Sequence, residues 1–220
     1  MAIIEALVRG EAGSSYRPEV RPAKRALDIS LALVCGLLTL PLLFAIVVLI
    51  VLDSPGGVIF AQTRVGLGGR PFKLWKFRTM VRNAEGRLAE YLTAHPELRE
   101  EWNQTQKLRN DPRVTRVGRL LRKTSLDELP QLWNVLRGDM SLVGPRPIVS
   151  DEISRYGENF FLYTRVRPGF TGLWQVSGRN DTSYTQRVAL DSYYVRHWSL
   201  WLDFSILART VPLVLGRGAY

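Results

Sequence analysis

The sequence predicts an α+β fold in which a small β-hairpin and several amphipathic helices gather beside one long apolar N-terminal helix. Ile29 to Leu52 contains no charged residue. Strand-like alternation flanks a glycine cluster at Gly66, Gly68 and Gly69, and apolar residues recur at helical spacing from Ala84 onward. At 220 residues the chain is long enough for one compact unit with a real core.

As a straight helix, Ile29 to Leu52 extends roughly 36 Å at ~1.5 Å per residue, enough for a hydrocarbon core of about 30 Å. Pro41 lies at its centre, where it deletes a hydrogen bond and clashes with the carbonyl of residue 37. Arg17, Arg21, Lys24 and Arg25 precede the segment, and Arg64, Arg70, Lys73, Lys76 and Arg78 follow it, so the positive-inside tendency draws both flanks to one side. Two geometries meet these facts: a kinked spanning helix, and a re-entrant hairpin that enters and leaves by one face. In the second, the Thr39 hydroxyl serves the backbone groups freed near Pro41. The run is too long and starts too late for a cleaved signal peptide.

Val58 to Val65 and Pro71 to Phe77 form the predicted hairpin. GLGG between them lacks the third glycine of a dinucleotide fingerprint, so its glycines are turn residues. Ala84, Leu88, Tyr91 and Leu92 mark an amphipathic helix that Pro96 interrupts before Leu98 and Trp102. Between Asp111 and Thr124, Arg113, Arg116, Arg119, Arg122 and Lys123 oppose Val117, Leu120 and Leu121. That row reads as a solvated face or as several arginines converging on one anion. Near the C-terminus, Trp198, Trp201, Phe204 and Ile206 beside Arg196 and Arg209 suit a helix in the membrane interface, or a buried helix ended by Pro212.

A formal net charge of +10 calls for an anionic partner: nucleic acid, a phosphorylated small molecule or an acidic membrane surface. The single cysteine, Cys35, excludes an internal disulfide framework. With only His95 and His197 besides, the composition argues against zinc.

Against this basic background, LRKTSLDELPQLWNVLRGDMSLVGPRP places Asp127 and Glu128 side by side among Arg122, Lys123, Arg137 and Arg146. In one reading Ser125 and Glu128 make a capping box, worth about 1 kcal/mol, although Pro130 fits a helix start nearer Asp127 or Leu129 better. In the other, one carboxylate at a helix N-terminus attacks phosphorus while its neighbour positions a divalent cation. Magnesium suits such a pair, since it binds through one or two carboxylates plus substrate phosphates, and arginine forks suit the remaining oxygens.

KRALDISLAL with Pro41, DSPGGVIFAQTRVG, FKLWKFRTM, DPRVTRVGRLLRKTSLDELPQLWNVLRGDMSLVGPRP, RPGFTGLWQVSGR and LDSYYVRHWSLWLDF together resemble the bacterial sugar transferases, in order, from about Lys24 to Tyr220. These are the monotopic polyprenol-phosphate phosphoglycosyl transferases. The resemblance implies a monotopic protein with an N-terminal re-entrant helix-break-helix over residues 24–53, after an extension at 1–23. A catalytic domain with interfacial helices follows over 54–220, on the cytoplasmic face of the bacterial inner membrane. It further implies transfer of a sugar 1-phosphate, of the hexose type, from a UDP-sugar to polyprenyl (undecaprenyl) phosphate. The route is a covalent aspartyl-phosphosugar with release of UMP, as the first membrane step of glycan assembly.

By the same resemblance, Asp127 is the nucleophile and Glu128 completes the dyad, both holding Mg²⁺. Arg122 and Arg146 bind phosphate and nucleotide, and Lys24 and Arg25 meet lipid phosphate or membrane phospholipids. Thr39 and Pro41 make the membrane-helix break. The family commonly sets a serine before the proline, whereas Leu40 stands here. Longer relatives carry further N-terminal helices and a soluble domain, so the chain reads as a minimal form or a catalytic fragment. Its interfacial helices suit a homodimer. The rival class is a non-catalytic basic module for membrane surfaces or nucleic acid, but no nucleic-acid motif is present.

Overall fold

The computed structural model describes residues 21–105, 108, 110–178 and 182–215, so the expected N-terminal extension lies almost wholly outside the described residues. Pro22, with its φ already set for a helix, starts helix α1 (Pro22–Asp53). The helix runs unbroken through Pro41. The expected helix-break-helix is therefore one helix here. The Thr39 hydroxyl donates to the carbonyls of Cys35 and Gly36, at 2.7 and 3.2 Å, bonds that bend a helix rather than end it.

Both ends of α1 are anchored. Near its start the Lys24 ammonium lies 2.7 Å from Asp203, and Asp28 accepts the backbone N–H of Leu142 at 3.1 Å. Toward its end Ile46 and Ile50 pack with Phe77 and Leu121, and Asp53 accepts the N–H of Val117 at 3.0 Å. Between the anchors the apolar side chains are uncovered: Leu37 is 65 %, Leu38 77 % and Phe44 72 % exposed.

Strands β1 (Ile59–Val65) and β2 (Pro71–Phe77) form the predicted antiparallel hairpin, with Ile59 opposite Phe77 and Val65 opposite Pro71. Gly68 and Gly69 take φ of 67° and 74° in the turn, a backbone region that glycine enters without steric cost. Helices α2 (Ala84–Ala94) and α3 (Leu98–Thr105) flank Pro96 as expected. Helix α4 (Arg116–Thr124) is capped by Thr115, whose hydroxyl accepts the Gly118 N–H at 2.9 Å.

After a 3₁₀ turn at Leu126–Glu128 comes α5 (Gln131–Arg137), closed by Gly138 at φ 93°. Two three-residue strands, β3 (Ser141–Val143) and β4 (Gly169–Thr171), pair in parallel. Their few residues show no period in the sequence. The short helices α6 (Ile153–Tyr156), α7 (Phe160–Thr164) and α8 (Leu173–Val176) precede α9 (Tyr184–Arg196). A reciprocal Ser183–Gln186 capping box starts α9.

Helix α10 (Leu200–Leu215) continues through Pro212 rather than ending there. It buries Asp203 and Ile206 and leaves Trp201 81 % exposed, beside Phe204 and Val211, which are also uncovered. The main core joins Ala32 of α1 to Val135, Met140, Tyr194 and Ile206.

Candidate active site

The adjacent acids sit in the 3₁₀ turn between α4 and α5, not at the N-terminus of a regular helix. Ser125 forms no capping box. It is instead the left-handed C-cap of α4, with φ 56° and its N–H bonded to Arg122 and Leu121 carbonyls. This reversal of the chain turns Asp127 inward, leaving it 9 % exposed, while its neighbours Leu126 and Leu129 pack beside Leu121 and Phe77.

Facing the turn is Lys76, on β2. Its ammonium lies 2.6 Å from Glu128 and 3.9 Å from Asp127. The position of β2 is set by Asn134, which is fully buried on α5. Its side-chain amide accepts the N–H of Trp75 at 3.1 Å and donates to the Lys73 carbonyl at 2.7 Å, as a neighbouring strand would. The helix that follows the dyad therefore holds the strand that supplies its lysine.

Arg122 reaches the site from the last turn of α4, with Nε donating to the Thr79 hydroxyl at 2.9 Å. Burial raises the Asp127 pKa to about 6; Lys76 opposes the rise, Glu128 adds to it and Arg122 opposes it. The carboxyl thus titrates just below neutrality. Near pH 7 it is largely an anion, held poorly hydrated between two cations.

The structure brings Asp127, Glu128 and Arg122 together and adds Lys76 and Asn134, which sequence reasoning did not select. Only the strand period aligning Lys76 with the hairpin's inner face hinted at the former. Lys24 and Arg25 lie elsewhere, with interior partners. Lys24, 9 % exposed, is paired to Asp203, which also accepts from Trp198 at 2.9 Å and Tyr194 at 2.8 Å. Arg25 donates to the Val135 and Leu136 carbonyls at 2.6 and 2.9 Å, satisfying the end of α5. Arg146 lies over the Trp174 ring at 5.6 Å, in a second cluster. Among the arginines of the α4 row, Arg113 is tied to Asp111 at 2.6 Å, Arg116 and Arg119 are exposed, and Arg122 alone serves the dyad.

No group of three or more metal-binding side chains occurs among the described residues. Two carboxylates are what the protein offers a cation here, a set that suits magnesium when phosphate oxygens complete the shell.

A buried carboxylate of raised pKa beside a second acid, a lysine and an arginine is suited to attack an anionic phosphorus centre. Comparison with known proteins gives the family. The family model described as bacterial sugar transferase matches residues 19–217. The exopolysaccharide production protein ExoY of Rhizobium meliloti is 49 % identical over 211 residues, covering 96 % of this chain and 93 % of that protein. The undecaprenyl-phosphate galactose phosphotransferase of Salmonella typhimurium is 52 % identical over 198 residues, 90 % of this chain and 41 % of the longer protein. The UDP-glucose:undecaprenyl-phosphate glucose-1-phosphate transferase of Caulobacter vibrioides is 46 % identical over 211 residues, 92 % of this chain and 73 % of that one. With the family model matching residues 19–217 of the chain, this protein belongs to the bacterial sugar transferases.

Proposed function

We propose that the protein transfers a hexose 1-phosphate from a UDP-sugar to undecaprenyl phosphate, initiating assembly of an exported polysaccharide. The observation that carries this reading is the Asp127 carboxylate itself, buried, of raised pKa, and faced by Lys76 and Arg122. The curated relatives named above point to the same substrates.

In the first step an Asp127 oxygen attacks the β-phosphorus of the UDP-sugar. A phosphorus–oxygen bond forms to the carboxylate, the bond to the oxygen bridging the α-phosphate breaks, and UMP departs with the electron pair. Lys76 and Arg122 neutralise charge on the phosphoryl oxygens and so lower the cost of bringing one anion to another. Glu128, fixed by its bond to Lys76, orients the nucleophile. Asp127 and Glu128, together with the diphosphate, would hold magnesium, which supplies further charge neutralisation when bound.

In the second step a phosphate oxygen of the polyprenyl phosphate attacks the same phosphorus. The aspartyl bond breaks, and the Asp127 carboxylate is regenerated as the diphosphate-linked lipid leaves.

The protein on this reading attaches monotopically at the cytoplasmic face, and the way α1 is held supports the monotopic form. Asp28 and Asp53, at opposite ends of the apolar segment, both accept backbone N–H groups from the same body. A helix crossing the bilayer would place those ends on opposite sides. The exposed apolar residues Leu38, Phe44 and Trp201 supply the surface that meets the phospholipids.

The test is transfer of labelled hexose phosphate from UDP-galactose or UDP-glucose to undecaprenyl phosphate in vesicles. The wild type forms labelled lipid and UMP, whereas Asp127→Asn forms neither while remaining folded. Full transfer by that variant would contradict the proposal.

A further inference from the structure

Successive side chains of a strand point to opposite faces of its sheet, and residues directly opposite on a paired strand share a face. The β1–β2 register sets Phe60 opposite Lys76 and Ile59 opposite Phe77. Phe60 therefore stands on the face that carries Lys76, and Ile59 on the reverse. Opposed residues of an antiparallel pair have Cβ atoms about 5 Å apart. The Phe60 ring is thus a neighbour of the ammonium that lies 2.6 Å from Glu128 and 3.9 Å from Asp127. Yet the ring is 52 % exposed and belongs to none of the core clusters among the described residues.

This end of the hairpin is also where the apolar side of the molecule reaches the dyad. Val58, two residues before Phe60, packs with Ile46 and Ile50 of α1. Leu126 and Leu129, which flank the two acids, pack on the same cluster. The turn that holds the dyad thus shares one apolar cluster with the half of α1 that leaves Phe44, Val48 and Leu52 uncovered.

Lys76 and Phe60 present a cation and an apolar ring side by side. Their complement is a ligand whose phosphate is followed directly by an apolar chain. A nucleotide sugar lacks that form, since its diphosphate lies between a sugar and a nucleoside, both rich in hydroxyls. A glycerophospholipid lacks it too, because a glycerol ester separates its phosphate from its acyl chains. In a polyprenyl phosphate the first isoprene is bonded to the phosphate oxygen, so one molecule meets the ammonium and the ring together.

We propose that Phe60 is a specificity residue for the acceptor, holding the isoprene units nearest the phosphate while Lys76 meets the phosphate itself. This rests on the reading of the dyad as the phosphoryl-transfer centre. Phe60 makes and breaks no bond. Its contact with the chain strengthens acceptor binding and fixes the line on which the phosphate oxygen approaches phosphorus. The alternation of β1 is plain in the sequence, but which of its faces meets the acids is set by the packing of the hairpin.

The experiment separates the two half-reactions in vesicles of phosphatidylethanolamine and phosphatidylglycerol, for wild type, Phe60→Ala, Phe60→Leu and Ile59→Ala. The UMP burst with UDP-hexose alone counts competent sites, because the acceptor takes no part in it. Discharge of the phosphosugar adduct is then followed against the mole fraction of undecaprenyl phosphate. For Phe60→Ala the expected result is a wild-type burst with the KM for the acceptor raised roughly four- to tenfold, the worth of about half of a full phenylalanine burial. Phe60→Leu keeps an apolar side chain and stays within about threefold of wild type. Ile59→Ala strips apolar surface from the reverse face of the same strand and keeps the wild-type KM.

An unchanged acceptor KM in Phe60→Ala overturns the proposal. An equal rise in Ile59→Ala also overturns it, since the strand end would then only seat the protein on the membrane. A burst that needs more UDP-hexose, with discharge unchanged, would put the donor's sugar on the ring and overturn it as well. Should Phe60→Ala fail to fold, Phe60→Thr, a residue suited to an exposed strand position, takes its place. If the wild type gives no burst with either donor, the reading of the dyad fails, and this proposal with it.

Discussion

Replacing Lys76 by Met removes the cation nearest both acids, and its consequence follows from Coulomb's law. At 3.9 Å from Asp127, a unit charge in an effective dielectric of about 20 contributes about 4 kcal/mol, or roughly three pKa units. The Lys76 side chain is 23 % exposed and that of Asp127 12 %, so solvent screens part of this, and a rise of about one to two units is expected. From its present value of about 6, the Asp127 pKa then moves to roughly 7–8.

The assay is the burst of UMP on mixing enzyme with UDP-hexose in the absence of lipid acceptor, because the acceptor's own phosphate titrates in the same range. Since the attacking form is the anion, kcat/KM rises with pH through the nucleophile's pKa. The wild-type limb is expected near pH 6. The variant's limb lies about one to two units higher, with a lower plateau because Glu128 has lost its anchor. Coincident limbs in the two proteins would refute the assignment of Lys76 as the group that holds Asp127 ionised.

Further consequences concern the frame. Asn134→Ala deletes two bonds to β2 and strands the Trp75 N–H, so unfolding is expected about 2–4 kcal/mol easier and UMP release slower, checked by denaturant titration and burst rate. Gly118→Ala would place a methyl carbon 2.1 Å from the Thr79 carbonyl, pushing α4 off the strand end and breaking the Arg122–Thr79 bond. A loss of 1–3 kcal/mol or more is expected, measured by thermal melting. Asp127→Asn should melt higher than wild type at pH 7.5. A carboxyl whose pKa is raised by folding to about 6 costs stability once ionised, on the order of 2–3 kcal/mol, and that penalty vanishes at low pH, where the two proteins should converge.

The parts legible in the sequence are those with a long period or a chemical signature. The apolar run, the β1–β2 alternation and the acids beside arginines are such features, and the structure places each as an element or at the site. Short pieces held by tertiary contacts were not legible. Strands β3 and β4 have three residues each, and the role of Asn134 depends on a strand more than fifty positions away. A lysine among many gives no sign of which carboxylate it will face, so Lys76 emerged only from the hairpin's packing. The capping-box pattern at Ser125–Glu128 misled, because the residue had to reverse the chain in a left-handed conformation instead of starting a helix. Lys24 and Arg25 read as lipid contacts by their place at the helix entrance, and the sequence gives no sign of their hydrogen bonds to Asp203 and to the carbonyl end of α5.

In the proposed reaction Asp127 becomes covalently linked to the phosphosugar. Intact-protein mass spectrometry after incubation with Mg²⁺ and UDP-galactose or UDP-glucose, without lipid acceptor, tests it most directly. The expected result is a hexose-phosphate mass increment on the wild type, mapped to the peptide containing Asp127, discharged by added polyprenyl phosphate and missing from Asp127→Asn. An enzyme that transfers sugar phosphate to lipid at full rate, yet gives no adduct with either donor and releases UMP only when acceptor is present, would contradict it.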